Sequence, residues 1–217
     1  MNENTKLKWK GGTLLAPLPA VMVSCGTIDK PNIITIGWTG IINSDPAKTY
    51  ISIRPSRYSY ELIKNTGKFV INLTTEDLAR ATDYCGVRSG RDENKFEKCG
   101  LSAVPAHELE DTPVIAESPI SLECRVTDIV PLGTHDMFVA DVVAVDVAPS
   151  LVDEKGALHL ERAKLIAYSH GDYFALGRKL GDFGYSVRKK STVKRRAAQK
   201  KHTQNSKRRP APKKKHQ

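Results

Sequence analysis

Three stretches of the chain carry residue types suited to holding an anion and a flat ring. The first is Arg54-Pro55-Ser56-Arg57-Tyr58-Ser59-Tyr60, which ends a strand-like run and opens a helix-like one. A helix N-terminus offers unpaired N–H groups and a partial positive charge, and together these favour a phosphate. Arg57, Ser56 and Ser59 add charge-assisted and hydroxyl donors at the same spot. An ordinary N-cap with solvated arginines would use the same residue types. The second stretch, Ser89-Gly90-Arg91-Asp92, leads into a helix carrying Lys95. Two such helix starts separated by one strand can close on one phosphate. Neither matches a P-loop or a dinucleotide glycine fingerprint, so the spacing points to a mononucleotide. In the third stretch, Asn32 to Gly40, glycines flank Thr35, Trp38 and Thr39 and would let a ring approach the strand backbone. Trp38 would serve equally as a core residue.

Other reactive residue types have plainer readings. Glu108, Glu110 and Asp111 read as a solvated loop, and His159 and His170 as structural or solvent-facing. His135 lies in a turn, where it either orients a ligand or is a neutral turn histidine. Cys25, Cys85, Cys99 and Cys124 are scattered without a C-x-x-C pair, so no metal site is expected and the thiols should be reduced. Cys85 and Cys99 flank the second stretch; packing accounts for them, with a redox role as the alternative.

The elements that must position these residues are mostly strands. Strand texture runs over Pro19–Cys25, Asn32–Ile42, Thr49–Arg54, Lys68–Leu73, Ser118–Val130 and Met137–Val147. Leu122, Cys124 and Val126 alternate with Ser121, Glu123 and Arg125 as a dry face against a wet one. Helices are expected over Ser56–Asn65, stopped by Gly67, from Thr75 to about Tyr84, and over Asp92–Cys99. Strands and helices do not alternate regularly, which argues for a mainly β fold, a largely antiparallel β-barrel with inserted helices.

Taken in order, several runs resemble the flavin reductase-like, FMN-binding split-barrel proteins, and their flavoredoxin branch in particular. They are PLPAVMVS (Pro17–Ser24), NIITIGWTG (Asn32–Gly40), SIRPSRYSYELI (Ser52–Ile63), FVIN (Phe69–Asn72), CGVRSGRD (Cys85–Asp92), LGTHDMF (Leu132–Phe138) and YFALGRKLGDFGYS (Tyr173–Ser186). The resemblance implies a six-stranded antiparallel split barrel of Greek-key type, paired as a homodimer with FMN near the interface. It implies that Trp38, Thr39 and Gly40 face the flavin ring. Arg54, Ser56, Arg57 and Ser59 would serve the phosphate end, helped by Ser89, Gly90 and Lys95. Asn72 and Leu73 would add flavin contacts, and His135 would sit near the flavin face or the nicotinamide. The implied activity is hydride transfer from NAD(P)H to FMN, then to free flavin or another acceptor; the alternative is an FMN electron carrier served by a redox partner protein.

The charge of the chain is unevenly placed. Its net charge of +10 arises beyond residue 186: the stretch 187–217 holds fourteen Lys and Arg and no acid, while residues 1–186 carry 20 basic and 24 acidic residues. Three segments follow: a leader over 1–12, a domain over 13–186, and a basic tail over 187–217. The tail cannot bury enough surface to offset its ordering entropy, and it suits non-specific contact with nucleic acid or an anionic surface. Without such a partner it would be a solvated extension. No apolar run reaches bilayer length and the start lacks a secretory h-region, so a cytoplasmic protein is expected.

Overall fold

The computed structural model describes residues 6–187. In chain order the elements are β1 (Leu18–Pro19), β2 (Val21–Thr27), β3 (Lys30–Ile36), β4 (Thr39–Ser44), β5 (Ala47–Ile53), α1 (Tyr58–Thr66), β6 (Lys68–Leu73), α2 (Ala79–Val87) and α3 (Lys95–Cys99). They continue with β7 (Ala103–Pro105), β8 (Pro113–Ile115), β9 (Ile120–Pro131), β10 (Asp136–Val147), β11 (Ile166–Ser169) and β12 (Asp172–Ala175). The main sheet has seven strands in the order β3-β2-β6-β9-β10-β5-β4, and every neighbouring pair is antiparallel. Two small sheets, β1-β11-β12 and β7-β8, accompany it.

The main sheet corrects the expected six-stranded split barrel: it has seven strands and is not closed. The reason lies in the Asn32–Ile42 run, whose unbroken β-branched texture reads as one strand. Gly37 and Trp38 interrupt it, and the two halves become β3 and β4 at opposite edges of the sheet. A two-residue link between opposite edges can span only roughly 11 Å. The sheet must therefore curl until its edges nearly meet, and the split falls at Gly37–Trp38.

Alternation along the strands then separates an inner from an outer face. The interior is packed by Val21, Val23 and Cys25 of β2, Ile34 and Ile36 of β3, Ile51 and Ile53 of β5, Phe69 and Ile71 of β6, and Phe138 and Ala140 of β10. On the outer side, Met22 and Ile33 pack against Leu78, Cys85 and Phe96, so α2 and α3 cover that face of β2 and β3. Both faces of β2 are thus buried, which is why it reads as a continuous apolar run.

The expected wet face of β9 is dry at two positions. Ser121 and Glu123 are buried because the segment 103–115 folds over them. The Glu123 carboxylate accepts the backbone N–H groups of His107, Glu108 and Leu109 at 2.8, 2.9 and 2.7 Å. Thr75 does not open α2: it forms an isolated bridge with Leu165, and the helix begins at Ala79. Gly67 ends α1 in the left-handed conformation, φ 65°, donating to Ile63 O.

The compact unit that contains all fifteen elements runs through Leu176; Gly177 onward forms a second unit, with a short 3-10 turn at Tyr185–Val187. No helix among the described residues is long and apolar enough to cross a membrane.

Candidate functional site

Two depressions open at the split. The larger, about 350 Å³, is bordered by Ile34, Thr35, Ile36, Gly37 and Trp38 on one side and by Ser52, Ile53, Arg54 and His135 on the other. The smaller, about 240 Å³, lies between the start of α1 and the loop joining α2 to α3. Ile34, Arg54, Arg57 and Gly86 line both, so the two adjoin.

The smaller depression gathers Arg54, Ser56, Arg57 and Ser59 from the first stretch with Ser89, Gly90, Arg91 and Lys95 from the second. Only one helix start, that of α1, borders it: α3 begins at Lys95 with its first N–H groups capped by Asn94 Oδ1, so the second stretch contributes the 88–91 loop and the Lys95 side chain instead. No side chain caps α1 at Arg57, which leaves its N-terminal turn facing this space. Arg91 donates to Ser56 O at 3.2 Å and lies over the Tyr58 ring, tying the two loops together. Five cationic side chains line the depression, Arg88 included, and no carboxylate does.

Two residues that sequence reasoning passed over hold this corner. Asn32, buried at the start of β3, donates to Ser59 Oγ at 2.7 Å. Its Oδ1 stands so close to Gly90 that a Cβ there would come within 1.9 Å. Gly90 is therefore needed for close approach. Gly86 does the same for helix packing, since its Cβ would meet Thr35 Cβ at 3.3 Å. Thr35 Oγ1 in turn donates to Thr82 O. The only local sign of these roles is a polar residue at a strand start and a glycine inside a helix.

Lys95 is buried, and its Nζ donates to Cys85 O and Arg88 O, both at 3.1 Å. An ammonium has three donors, so one remains for a ligand. Burial pulls its pKa below the ordinary lysine value, opposed mainly by the thiols of Cys85 and Cys25. A buried cation whose fixed partners are neutral carbonyls is a place where an anion is stabilised.

In the larger depression the Trp38 ring meets the His135 ring at 4.5 Å between centroids. Trp38 is 40% exposed, so it is a wall of the depression and not a core residue. Burial, then Arg54 and Arg57, hold the His135 pKa below the ordinary histidine value, which keeps the ring uncharged at neutral pH. Tyr60 donates to Asp136 Oδ2 at 2.6 Å and so pins α1 to the strand that follows His135.

Four expected site residues lie away from both depressions. Thr39 is buried and donates to Tyr50 O, and Gly40 packs against the Tyr50 ring. Asn72 is fully buried: its Nδ2 donates to Met22 O, Ser24 Oγ and Val70 O, and its Oδ1 accepts from Ile115 N and Ser121 Oγ. The strand period puts it on the outer face with Met22 and Ser24. Leu73 packs with Ile120 and Leu151.

Elsewhere, His107, Glu123 and Asp146 bring potential metal-ligand atoms within 4.8 Å of one another. Three backbone N–H groups already bind the Glu123 carboxylate, which caps the 107–109 turn.

Residues 14–177 match the flavin reductase like domain. An uncharacterized protein of Archaeoglobus fulgidus is 34% identical over 141 residues, 65% of this chain and 78% of its own. An NADH-dependent FMN reductase of Streptomyces nodosus subsp. asukaensis is 25% identical over 149 residues, covering 66% of this chain and 78% of that one. Among solved structures, the flavoredoxin of Desulfovibrio vulgaris (Miyazaki F) superposes with a TM-score of 0.78 at 27% identity, over 85% of this chain and all of that one. With that domain matched over most of its length, the chain is a member of the flavin reductase like domain family.

Proposed function

We propose that the chain binds FMN across the two adjoining depressions and moves hydride from a reduced nicotinamide nucleotide to it, with free flavin or another acceptor taking the electrons. The observation that carries this reading is the lining of the smaller depression, five cations and three serine hydroxyls without a carboxylate. That donor set fits a phosphate dianion, and Gly90 lets the 88–91 loop pack against Asn32 beside it. The adjoining larger depression, walled by Trp38, His135 and the apolar side chains of β3, fits a flat ring.

When bound, FMN supplies the ring that accepts and releases hydride. Arg57, Ser56, Ser59, Ser89 and Lys95 hold its phosphate. Arg54 lines both depressions and fixes the ring relative to the phosphate. Trp38 and His135 shield one side from water, and the uncharged His135 orients the nicotinamide. Purified protein should bind FMN in a spectroscopic titration; a colourless protein with no titration signal overturns the reading.

The likeness to a flavoredoxin favours a second reading, an FMN electron carrier reduced by a partner protein. Single-turnover reduction by NADH and by NADPH separates the two: bound FMN that neither nucleotide reduces selects the carrier.

The same reading includes a homodimer. Ile41 and Ile42 on edge strand β4 and Leu132 in the turn before His135 are 69%, 49% and 60% exposed. Exposed apolar side chains on edge strand β4 and in the β9–β10 turn suit a second copy closing over the ring, which would also bring that copy's β4, with Thr39 and Gly40, toward the site. Sedimentation should give a dimer mass, and a monomer at micromolar concentration sinks this part. Contact of the basic tail with polyanions is also proposed; apart from Val187, residues 187–217 lie outside the described residues. Removing 188–217 should abolish nucleic-acid binding and leave the FMN titration unchanged.

A further inference from the structure

Cys85 and Cys99 take no part in the chemistry above, yet they are the one thiol pair in contact among the described residues. Their sulfurs lie 3.9 Å apart and both are free. Cys25 instead meets Asn32 Nδ2, and Cys124 donates to Leu122 O. Cys85 is fully buried in the last turn of α2, and half-buried Cys99 ends α3.

The pair lies between two separate spaces. Cys85 lines the anion depression. Cys99 opens on a different groove of about 820 Å³, beside Leu78, Tyr84 and Lys98, which shares no lining residue with the depressions described above. A small oxidant can therefore reach Cys99 without entering the ring site. The backbone of Cys85 also holds Lys95, whose Nζ donates to its carbonyl, and Lys95 stands one helical turn before Cys99.

We propose that Cys85 and Cys99 form a reversible disulfide under hydrogen peroxide, and that this bond loosens the anion site by displacing Lys95. The Cys99 sulfur attacks one peroxide oxygen, the O–O bond breaks, and one water leaves, giving a sulfenic acid. The Cys85 sulfur then attacks the Cys99 sulfur, the S–O bond breaks, and the hydroxyl leaves with the Cys85 proton as a second water. Two thiols lose two electrons and one peroxide becomes two waters. A small dithiol reverses the bond by exchange and is itself oxidised to a disulfide. Cys85 is fully buried, which pushes its thiol up, while Cys99 opens on the groove, so the oxidant meets Cys99 first and Cys85 resolves.

A disulfide needs sulfurs at about 2.05 Å, so the two must close by nearly 2 Å. Part of that movement falls on α3 and on the end of α2, which carry Lys95 and Arg88. Binding groups need placement to about 0.5 Å, so one charged phosphate contact is lost or weakened. This consequence rests on the FMN reading; the thiol chemistry does not.

The test uses the full chain, treated with stoichiometric hydrogen peroxide and mapped by mass spectrometry without reduction, with FMN titrations before, after, and after dithiothreitol. A Cys85–Cys99 linked peptide is expected, with FMN binding weaker by on the order of tenfold and restored by the dithiol. The Cys99→Ser variant should bind FMN normally and keep its affinity under peroxide. Absence of a linked peptide, a link through Cys25 or Cys124, or sulfinic acid at Cys99 without a bridge overturns the proposal. A linked peptide with unchanged FMN affinity overturns the coupling to the site. A chain that forms the link and binds no FMN in either state overturns the functional reading and leaves the dithiol chemistry standing.

Discussion

The Trp38 and His135 rings meet at 4.5 Å with a 43° tilt, joining the β3–β4 link to the β9–β10 turn. This contact places an imidazole against the mouth of the ring depression and within reach of two arginine charges.

The electrostatics of that imidazole are measurable. Burial and the charges of Arg54 and Arg57 lower its folded pKa below 6.5. As pH falls, the unfolded chain takes up this proton first, so His135 withdraws stability on acidification through about 6.5. An anion bound among the arginines offsets their repulsion. Inorganic phosphate or FMN should therefore move the His135 midpoint upward in an NMR titration. A free-protein midpoint at or above 6.5 contradicts the geometry.

Gly90→Ala tests the close approach of the 88–91 loop. Its Cβ would stand 1.9 Å from Asn32 Oδ1 and 3.0 Å from Tyr58, so the loop or β3 must shift. The expected cost is about 1–3 kcal/mol in urea unfolding, with FMN affinity reduced by at least tenfold. Gly12→Ala, where an added Cβ meets nothing within 4 Å, should change neither quantity.

The same corner shows what could be read without coordinates. The grouping of Ser56 and Arg57 at the start of α1 was legible in local sequence; the second stretch contributes a loop, since α3 begins only at Lys95 behind its Asn94 cap. Asn32 was not legible, because its meaning depends on Ser59 and Gly90, which reach it only through the tertiary fold. The Asn32–Ile42 run hid a strand break, since β texture continues on both sides of Gly37–Trp38 while the partners lie at opposite edges of the sheet. Asn72 is a flavin contact only by resemblance to the family; its five hydrogen bonds all go to neighbouring strands and to its own.

Lys95→Gln separates charge from hydrogen bonding. The amide can still donate toward Cys85 O or Arg88 O, while the positive charge disappears. FMN should bind about tenfold to hundredfold more weakly, the scale of one charge-assisted hydrogen bond. Lys95→Met should bind as weakly and also lose about 1–3 kcal/mol of stability, because two carbonyls lose their donor. Equal affinity in Lys95→Gln and the parent chain would place the phosphate elsewhere.

Glu123→Gln probes a buried carboxylate that the alternation of β9 had assigned to water. One oxygen accepts from His107 N and the other from Glu108 N and Leu109 N. An amide offers a single acceptor oxygen, and its NH₂ must face at least one of these N–H groups. A buried donor is then unpaired, at a cost of about 2 kcal/mol or more in urea unfolding. Glu123 lines neither depression, so the FMN affinity of the folded variant should be unchanged. The neighbouring His107 and Asp146 make a zinc site the competing explanation. Because the carboxylate serves three backbone N–H groups of the turn, added zinc should leave the unfolding midpoint of the parent chain where it is. A zinc-dependent rise that Glu123→Gln removes would show that the residue serves an ion instead of the turn.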